Sequence, residues 1–284
     1  MEAFFAQPPV QSGLAPFVVS LVLATALWRA PARWQGLTIV GALLLAVLLI
    51  IGPTLTPLTS TRKIVIASLS LPMMALVLDV VALRWRTKVG IVILAAVFAL
   101  LWVLWPVLLR RELGDAVLLA GGLALYVLVV LMAFARLSSC CARLTGAALC
   151  FAVATGVAAI MAASALYGQL AFALAAAIAG LAAVRLWRCG WGEADVDACF
   201  GLAGVMAVAV PLALLGAAAS VYARLPLMAL PLLALSPLLA LVPFAVRWPA
   251  WLRVVIAGLL TLPASAAAIY LTWLAAGAGS SGYY

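Results

Sequence analysis

The chain of 284 residues contains no histidine. Histidine is the usual zinc ligand, a common axial ligand of haem iron, and the general base of Ser-His and Cys-His catalysis. Its absence excludes these kinds of site. We therefore expect a protein that is not an enzyme and that holds neither a metal nor a cofactor.

Cysteine is present, but in no metal-binding pattern. None of the five cysteines belongs to a C-x-x-C pair, and the two adjacent ones are poorly placed to bind one metal ion together. The sequence predicts that they are small, mostly buried apolar residues. They are Cys140, Cys141, Cys150, Cys189 and Cys199.

Charged residues are also scarce, at 8% of the chain, whereas hydrophobic residues make up 69%. Soluble domains carry about 25% charged residues, because their surfaces face water. A chain with so few charges presents its outer surface to lipid, where only helices and closed barrels satisfy the backbone. The apolar runs are continuous rather than alternating, as over 89–105, which indicates helices. We predict an all-α, polytopic transmembrane helix bundle.

Ten apolar stretches are long enough to cross a bilayer, for which a helix needs about 20 residues. The sixth and seventh meet around Tyr167, Gly168 and Gln169, but the stretch 144–187 that contains both holds 44 residues, enough for two spans. The predicted spans are 12–28, 34–52, 64–83, 89–109, 115–135, 144–166, 168–187, 198–220, 225–246 and 250–275.

The basic residues predict the orientation of these spans. Eleven of the 16 Lys and Arg residues fall in or near one alternate set of loops and five in the other. The positive-inside rule places the richer set in the cytoplasm. We therefore predict a multi-pass protein of the plasma (inner) membrane with both termini outside, on the periplasmic side.

The sequence also suggests an internal duplication. Shifting the chain by 165 residues aligns spans two to four with spans eight to ten, so that Pro72 falls on Pro237 and Lys88 on Arg253. The offset of six spans is even, which predicts two copies in the same orientation. The predicted organisation is a single membrane domain over 1–284, with repeat A at 12–109, a linker helix pair at 115–166, repeat B at 168–275 and a short external tail at 276–284.

Acidic residues are few, and only Asp79 lies inside a predicted span. An ionisable group in a membrane span is costly and is a functional candidate by default. Asp79 is either a proton- or cation-binding carboxylate or an interfacial carboxylate paired with Arg84 or Arg86. Three further acids, Glu193, Asp195 and Asp197, share one short loop. They are more typical of a solvated, charge-balanced loop than of a metal site.

Two prolines lie inside spans at matching positions of the proposed repeats. Pro72 has Ser70 close by, and Pro237 follows Ser236. A proline inside a helix removes one backbone hydrogen bond and kinks the helix. Such kinks can line a substrate cavity or simply improve packing. On the first interpretation, Asp79, Ser70, Pro72, Ser236 and Pro237 form a substrate pathway.

The leading functional hypothesis is a permease-like transporter of a small, weakly polar or lipid-like molecule, because the spans contain few polar residues. The alternative is a non-catalytic membrane subunit or assembly factor of a larger complex, with other membrane subunits as partners. Either protein would contact membrane lipids, and neither would bind nucleic acid. The polar or hydroxyl-bearing candidates for a lining are Ser68, Ser70, Asp79, Tyr126, Thr155, Ser164, Ser236, Thr261, Ser265 and Tyr270.

Overall fold

The computed structural model describes residues 7–54, 56–189, 200–243 and 248–280, and within these ranges the chain is helical without a strand. The predicted all-α fold is confirmed. A π-helical turn, Val10–Leu14, leads directly into the first α-helix. The α-helices are α1 (Ala15–Ala26), α2 (Ala32–Gln35), α3 (Leu37–Ile50), α4 (Ser60–Val80), α5 (Trp85–Leu108), α6 (Leu113–Leu137), α7 (Cys141–Met161), α8 (Ala165–Cys189), α9 (Gly201–Tyr222), α10 (Ala229–Leu239) and α11 (Ala250–Ser280).

Eight helical segments of the described chain are long and apolar enough to cross a membrane. They match eight of the predicted spans, and α2 and α3 together form one of them, Arg33–Ile50. The remaining two spans correspond to shorter apolar helices, Val10–Ala26 and Ala229–Leu239. By helix number and composition this is a polytopic membrane protein.

The predicted length of the ninth span is wrong. The prediction was a helix over 225–246, but α10 has only 11 residues. At about 1.5 Å per residue it rises roughly 16 Å, half of the ~30 Å hydrocarbon core. Proline accounts for this, because Pro226 precedes the helix and Pro243 follows it, and proline cannot donate the backbone bond of a helix interior. At the other extreme, α11 continues to Ser280, beyond the predicted end at 275.

The ends of the bundle are defined by contacts between helix termini. At one end, which we call the basic end, the last turns of α4 and α8 meet the first residues of α9, α2 and α7. There Asp79 bonds to Leu202, and Arg185 bonds to Gln35 and Cys141. At the opposite end, the Tyr222 hydroxyl donates to the Val103 carbonyl at 2.9 Å. The chain therefore runs back and forth between two ends, as the alternating charge pattern predicts.

Helix α9 is the centre of the bundle. Every residue of its 18-residue hydrophobic window is buried. It carries apolar and small side chains on all sides, the pattern of a helix surrounded by protein. Its backbone approaches α2 and α3 closely, because a Cβ atom at Gly36 would lie only 2.5 Å from the Gly204 backbone nitrogen. Glycine at both positions permits this contact.

The two proposed repeats occupy different surroundings. The span that contains α3 is 39% buried, whereas its predicted counterpart α9 is 100% buried. Likewise α4 is a 21-residue helix, but its counterpart α10 has 11 residues. The internal duplication therefore stays a prediction from sequence. The acidic loop with Glu193, Asp195 and Asp197 lies outside the described residues.

Candidate functional site

Asp79 lies near the end of α4, half-buried at the basic end of the bundle. Its Oδ2 atom accepts hydrogen bonds from the backbone nitrogens of Leu202 at 2.9 Å and Ala203 at 3.3 Å. These are first-turn amides of α9, which have no partner within their own helix. The carboxylate therefore caps the central helix from another helix, where the positive end of the helix dipole favours a negative charge.

The residues at the start of α9 explain why its cap is a side chain of another helix. The residue before α9 is Phe200, which provides no side-chain hydrogen bond to the helix start. Gly201 has φ +63°, and a Cβ atom there would lie 2.9 Å from the Asp79 Oδ2 atom. Glycine therefore allows both the backbone turn and the close approach of the carboxylate. Arg84 and Arg86, the partners considered from sequence, are exposed.

Ser70 and Pro72, which form the first predicted proline site, lie in different surroundings. Pro72 is buried within a continuous α4. Ser70 is exposed, and its hydroxyl donates weakly to the Ala67 carbonyl at 3.5 Å. It lines an open cavity of about 340 Å³ between α4 and α5, together with Phe98 and Trp102. Ser70 and Pro72 thus face different sides of α4.

The second proline site is a packed polar contact. Ser236 is fully buried, with its hydroxyl 2.9 Å from the Ser265 hydroxyl and 3.4 Å from the Thr261 carbonyl. The Cys150 thiol donates to Ser265 at 3.6 Å, which adds α7 to the contact. Pro237 is buried beside it, near the end of α10. These bonds hold α10 against α11 and α7, and they satisfy the hydroxyl groups within the protein.

A groove lies on the surface between α6 and α10. It encloses about 460 Å³, within the usual range of roughly 300–1,000 Å³ for small-molecule sites. Gly122 on α6 and Ala234 on α10 both line it, and their small size leaves the space open. Leu119, Leu230 and Pro231 form further parts of the wall, so the lining is almost entirely apolar.

Tyr126 forms part of the groove wall, and its hydroxyl is buried in the protein interior. The residue is 5% exposed, and its hydroxyl has no hydrogen-bond partner. The ring lies against α9, because a Cβ atom at Gly216 would come within 3.2 Å of the Tyr126 Cζ atom. A buried hydroxyl without a partner costs about 1–3 kcal/mol, and buried polar groups of this kind are rare. The groove therefore has apolar walls, and the unpartnered Tyr126 hydroxyl lies behind them, against α9.

The packing beside α9 is much tighter. A small cavity lined by Ser68, Leu170 and Pro211 has a volume of about 10 Å³. This space accommodates at most about one water molecule. Ser68 was a predicted lining residue, and the cavity at this position is too small for a hydrated ion or a sugar.

Sequence reasoning named Tyr126 among many polar residues but did not single it out. The sequence feature that could have singled it out is the spacing of Gly122 and Tyr126, which lie four residues apart on one helix face. Which helix would lie opposite that face depends on a contact more than 100 residues away in sequence, which periodicity does not show.

Comparison with known proteins adds no further constraint. No protein-family profile matches the chain, and no curated protein is significantly similar to it in sequence. The functional argument therefore depends on the described residues: a multi-pass helical membrane protein with a tightly packed centre and an apolar groove on its side.

Proposed function

We propose that this protein is permease-like and takes a small lipid-like or weakly polar molecule from the bilayer into the groove between α6 and α10. The observation that carries the proposal is the apolar groove of about 460 Å³, which the Tyr126 ring helps to line. A molecule with a hydrocarbon body and few polar groups matches this lining, because it buries its apolar part against the groove walls.

The position of the groove supports entry from the side. Its rim carries exposed apolar side chains, with Leu118 at 76% and Leu227 at 54% exposure. In a bilayer these side chains contact hydrocarbon, so a lipid-like molecule reaches the groove without crossing water. The 10 Å³ cavity beside α9 offers no comparable space for a polar solute.

A binding experiment tests the groove directly. The full chain, reconstituted in vesicles, is exposed to a long-chain alcohol that carries a photoreactive diazirine, and labelled peptides are mapped. We expect labelling on α6 and α10. Ala234→Trp fills the groove and should abolish it. Tyr126→Phe is the control and should leave the labelling unchanged, because its hydroxyl is packed against Gly216.

Transport requires a second measurement. Vesicles with and without the protein are loaded with tritiated farnesol, and its release to an acceptor is followed. Faster release that is lost in Ala234→Trp supports a permease. Labelling of the groove with no change in release would mean that the protein binds such molecules but does not move them.

One observation favours the alternative function as a membrane subunit. Gly121 and Leu125 lie one turn apart on α6. A Cβ atom at Gly121 would meet nothing within 4 Å, and Leu125 is 61% exposed. Small residues beside large apolar ones are typical of surfaces where a second membrane helix packs. Co-purification in mild detergent distinguishes the two: a partner that is lost in Gly121→Trp supports a subunit, and a homogeneous chain without partners supports the permease.

A further inference from the structure

The open cavity between α4 and α5 is a groove that follows the axes of both helices. The helices run in opposite directions, because Lys63 near the start of α4 contacts Trp102 near the end of α5. The α5 residues of the wall have the i, i+3, i+4, i+7 spacing of one helix face. The eight lining residues are all uncharged: Ile66, Ala67, Ser70 and Leu71 on α4, and Ala95, Phe98, Ala99 and Trp102 on α5. We call this cavity the α4–α5 groove.

Lys63 places a positive charge at one end of the α4–α5 groove. Its Nζ atom donates to the Trp102 carbonyl at 3.2 Å and lies 5.2 Å from the centre of the Trp102 ring. Since Trp102 lines the groove, the ammonium group lies at the end that this tryptophan forms. An ammonium group has three donors, and no described carboxylate forms an ion pair with this one. It therefore retains the capacity to bind an anion.

The charged end of the groove is also the end nearest to the membrane surface. Lys63 is in the first turn of α4, and Trp102 is within two turns of the end of α5. Trp105, almost one turn further along α5, is 58% exposed. Tryptophan rings favour the headgroup level of a bilayer, and lysines near helix ends extend their charge towards it. The phosphate groups of the lipids lie at this level.

The dimensions of the groove favour a hydrocarbon chain over a helix. Its α5 wall spans seven residues, a rise of about 10 Å, so the volume of about 340 Å³ corresponds to a width of roughly 6 Å. A helix with its side chains is about 10–12 Å across and would rest on the rim. Phe98 in the wall is 75% exposed, so the groove is open towards the lipid side.

The charge, rather than the apolar wall, distinguishes one lipid from another at this groove. Lipid tails are as apolar as the side chains of the wall, so a tail gains no hydrophobic free energy on leaving the bilayer for the groove. One lysine near the membrane surface, in contrast, favours anionic lipid by about fivefold in affinity. An anionic headgroup with an attached hydrocarbon chain matches both the charged end and the uncharged wall.

We propose that the α4–α5 groove binds an anionic phospholipid, with the phosphate group at Lys63 and one acyl chain along Ala99 and Phe98 towards the centre of the bilayer. The α4–α5 groove shares no lining residue with the groove between α6 and α10. It needs no transport step, so the proposal does not depend on the permease function.

The test uses the full chain reconstituted in vesicles of neutral phosphatidylcholine. Trace amounts of phosphatidylglycerol or phosphatidylcholine, each with the same diazirine-bearing acyl chain, are activated by light, and the labelled peptides are mapped. Phosphatidylglycerol should label the facing sides of α4 and α5, about fivefold more than phosphatidylcholine does. Equal labelling by the two lipids would contradict a role for the charge.

Variants assign the labelling to the charge and to the groove separately. Lys63→Gln should remove the preference for phosphatidylglycerol, whereas Lys63→Arg keeps the charge and should retain it, which keeps the test readable if the glutamine variant does not fold. Ala99→Phe fills the groove and should remove the labelling by both lipids. Arg110→Gln is the matched control, because Arg110 is an exposed cation at the same end of the bundle. Ala234→Trp, which fills the other groove, should also leave this labelling unchanged.

Three further results would overturn the proposal. Equal losses in Lys63→Gln and Arg110→Gln would mean that general surface charge attracts the lipid. Labelling of α4 and α5 that persists in Ala99→Phe would place the acyl chain outside the groove. A second protein that co-purifies with the chain in mild detergent and is lost in Ala99→Phe would assign the groove to a partner helix.

Discussion

At the scale of single residues, the contact between Tyr126 and Gly216 governs both stability and the groove. We expect Gly216→Ala to lower the free energy of unfolding by about 1–3 kcal/mol, because the added methyl group overlaps the tyrosine hydroxyl in a packed core. Tyr126→Phe alone should be neutral or stabilising, since it removes a buried hydroxyl without a partner. Unfolding by SDS titration in micelles measures both values.

The double variant is the control for this contact. Combining Gly216→Ala with Tyr126→Phe should recover part of the loss, giving a coupling energy of about 0.5–3 kcal/mol. If the two effects simply add, the tyrosine hydroxyl does not limit the space at Gly216, and its buried position needs another explanation.

Asp79 makes a second prediction at this scale. We expect Asp79→Ala to destabilise the protein by about 1–2 kcal/mol, the usual cost of a lost helix cap. Asp79→Asn should retain most of the stability, because its side-chain oxygen still accepts the bonds from Leu202 and Ala203. Glu112→Gln, at an exposed acid, serves as the control and should change stability by less than about 0.5 kcal/mol. Equal losses in both Asp79 variants would make charge, rather than capping, the dominant effect.

Asp79 also shows how far single residues are predictable. Its isolation within an apolar span marked it as unusual from sequence alone. Its partners are 123 and 124 positions away in the chain. Local sequence carries no information on such a contact, so only the nearby Arg84 and Arg86 could be named as partners from sequence.

At the scale of helices, the approach of α9 to the start of α3 depends on paired glycines. Gly36→Ala should destabilise the bundle by about 2 kcal/mol or more, because the new Cβ atom would lie 2.5 Å from the Gly204 nitrogen and 2.6 Å from its Cα atom. Backbone atoms cannot move aside as a flexible side chain does. Gly90→Ala is the matched control, since a Cβ atom there meets nothing within 4 Å. Unfolding of the two variants in the same detergent makes the comparison, and equal stability would argue against close packing.

Two helix ends hold a non-glycine residue at a positive φ, and substitution there should raise the stability of the protein. Ala163 follows α7 with φ +67°, and Arg224 follows α9 with φ +57°. At each end a backbone hydrogen bond reaches back past the last turn of the helix. The Ser164 nitrogen donates to the Ala159 carbonyl at 2.9 Å, and the Leu225 nitrogen donates to the Ala219 carbonyl at 3.1 Å. Glycine is the usual residue at this position, because it has no Cβ atom to oppose a positive φ.

We therefore expect Ala163→Gly and Arg224→Gly each to raise the free energy of unfolding by about 1 kcal/mol. Ala162→Gly is the control: Ala162 precedes the strained position with φ −79°, where glycine only adds freedom to the unfolded chain. Thermal unfolding in micelles should rank the first two variants above the wild type and Ala162→Gly below it. A gain in the control would show that the effect is not specific to positive φ.

At the scale of the whole molecule, composition and apolar run length predicted the helix number and the fold class. They did not predict which helix is central, because most spans are similarly apolar and Leu-, Ala- and Val-rich. The all-round apolar surface of α9 was a weak indication, since lipid-facing helices show the same composition. The length of α10 was missed because hydropathy detects apolar residues but not the end of a helix between prolines.

Orientation is the remaining prediction at this scale. The basic end carries most of the Lys and Arg residues, so it should face the cytoplasm and both termini should face outside. In a cysteine-free background, Arg86→Cys places a thiol at the basic end and Gly114→Cys at the opposite end, and both positions are exposed. A membrane-impermeant maleimide added to intact cells should label Gly114→Cys alone, and lysis should make Arg86→Cys reactive. Labelling of Arg86→Cys in intact cells would reverse the predicted orientation of the bundle.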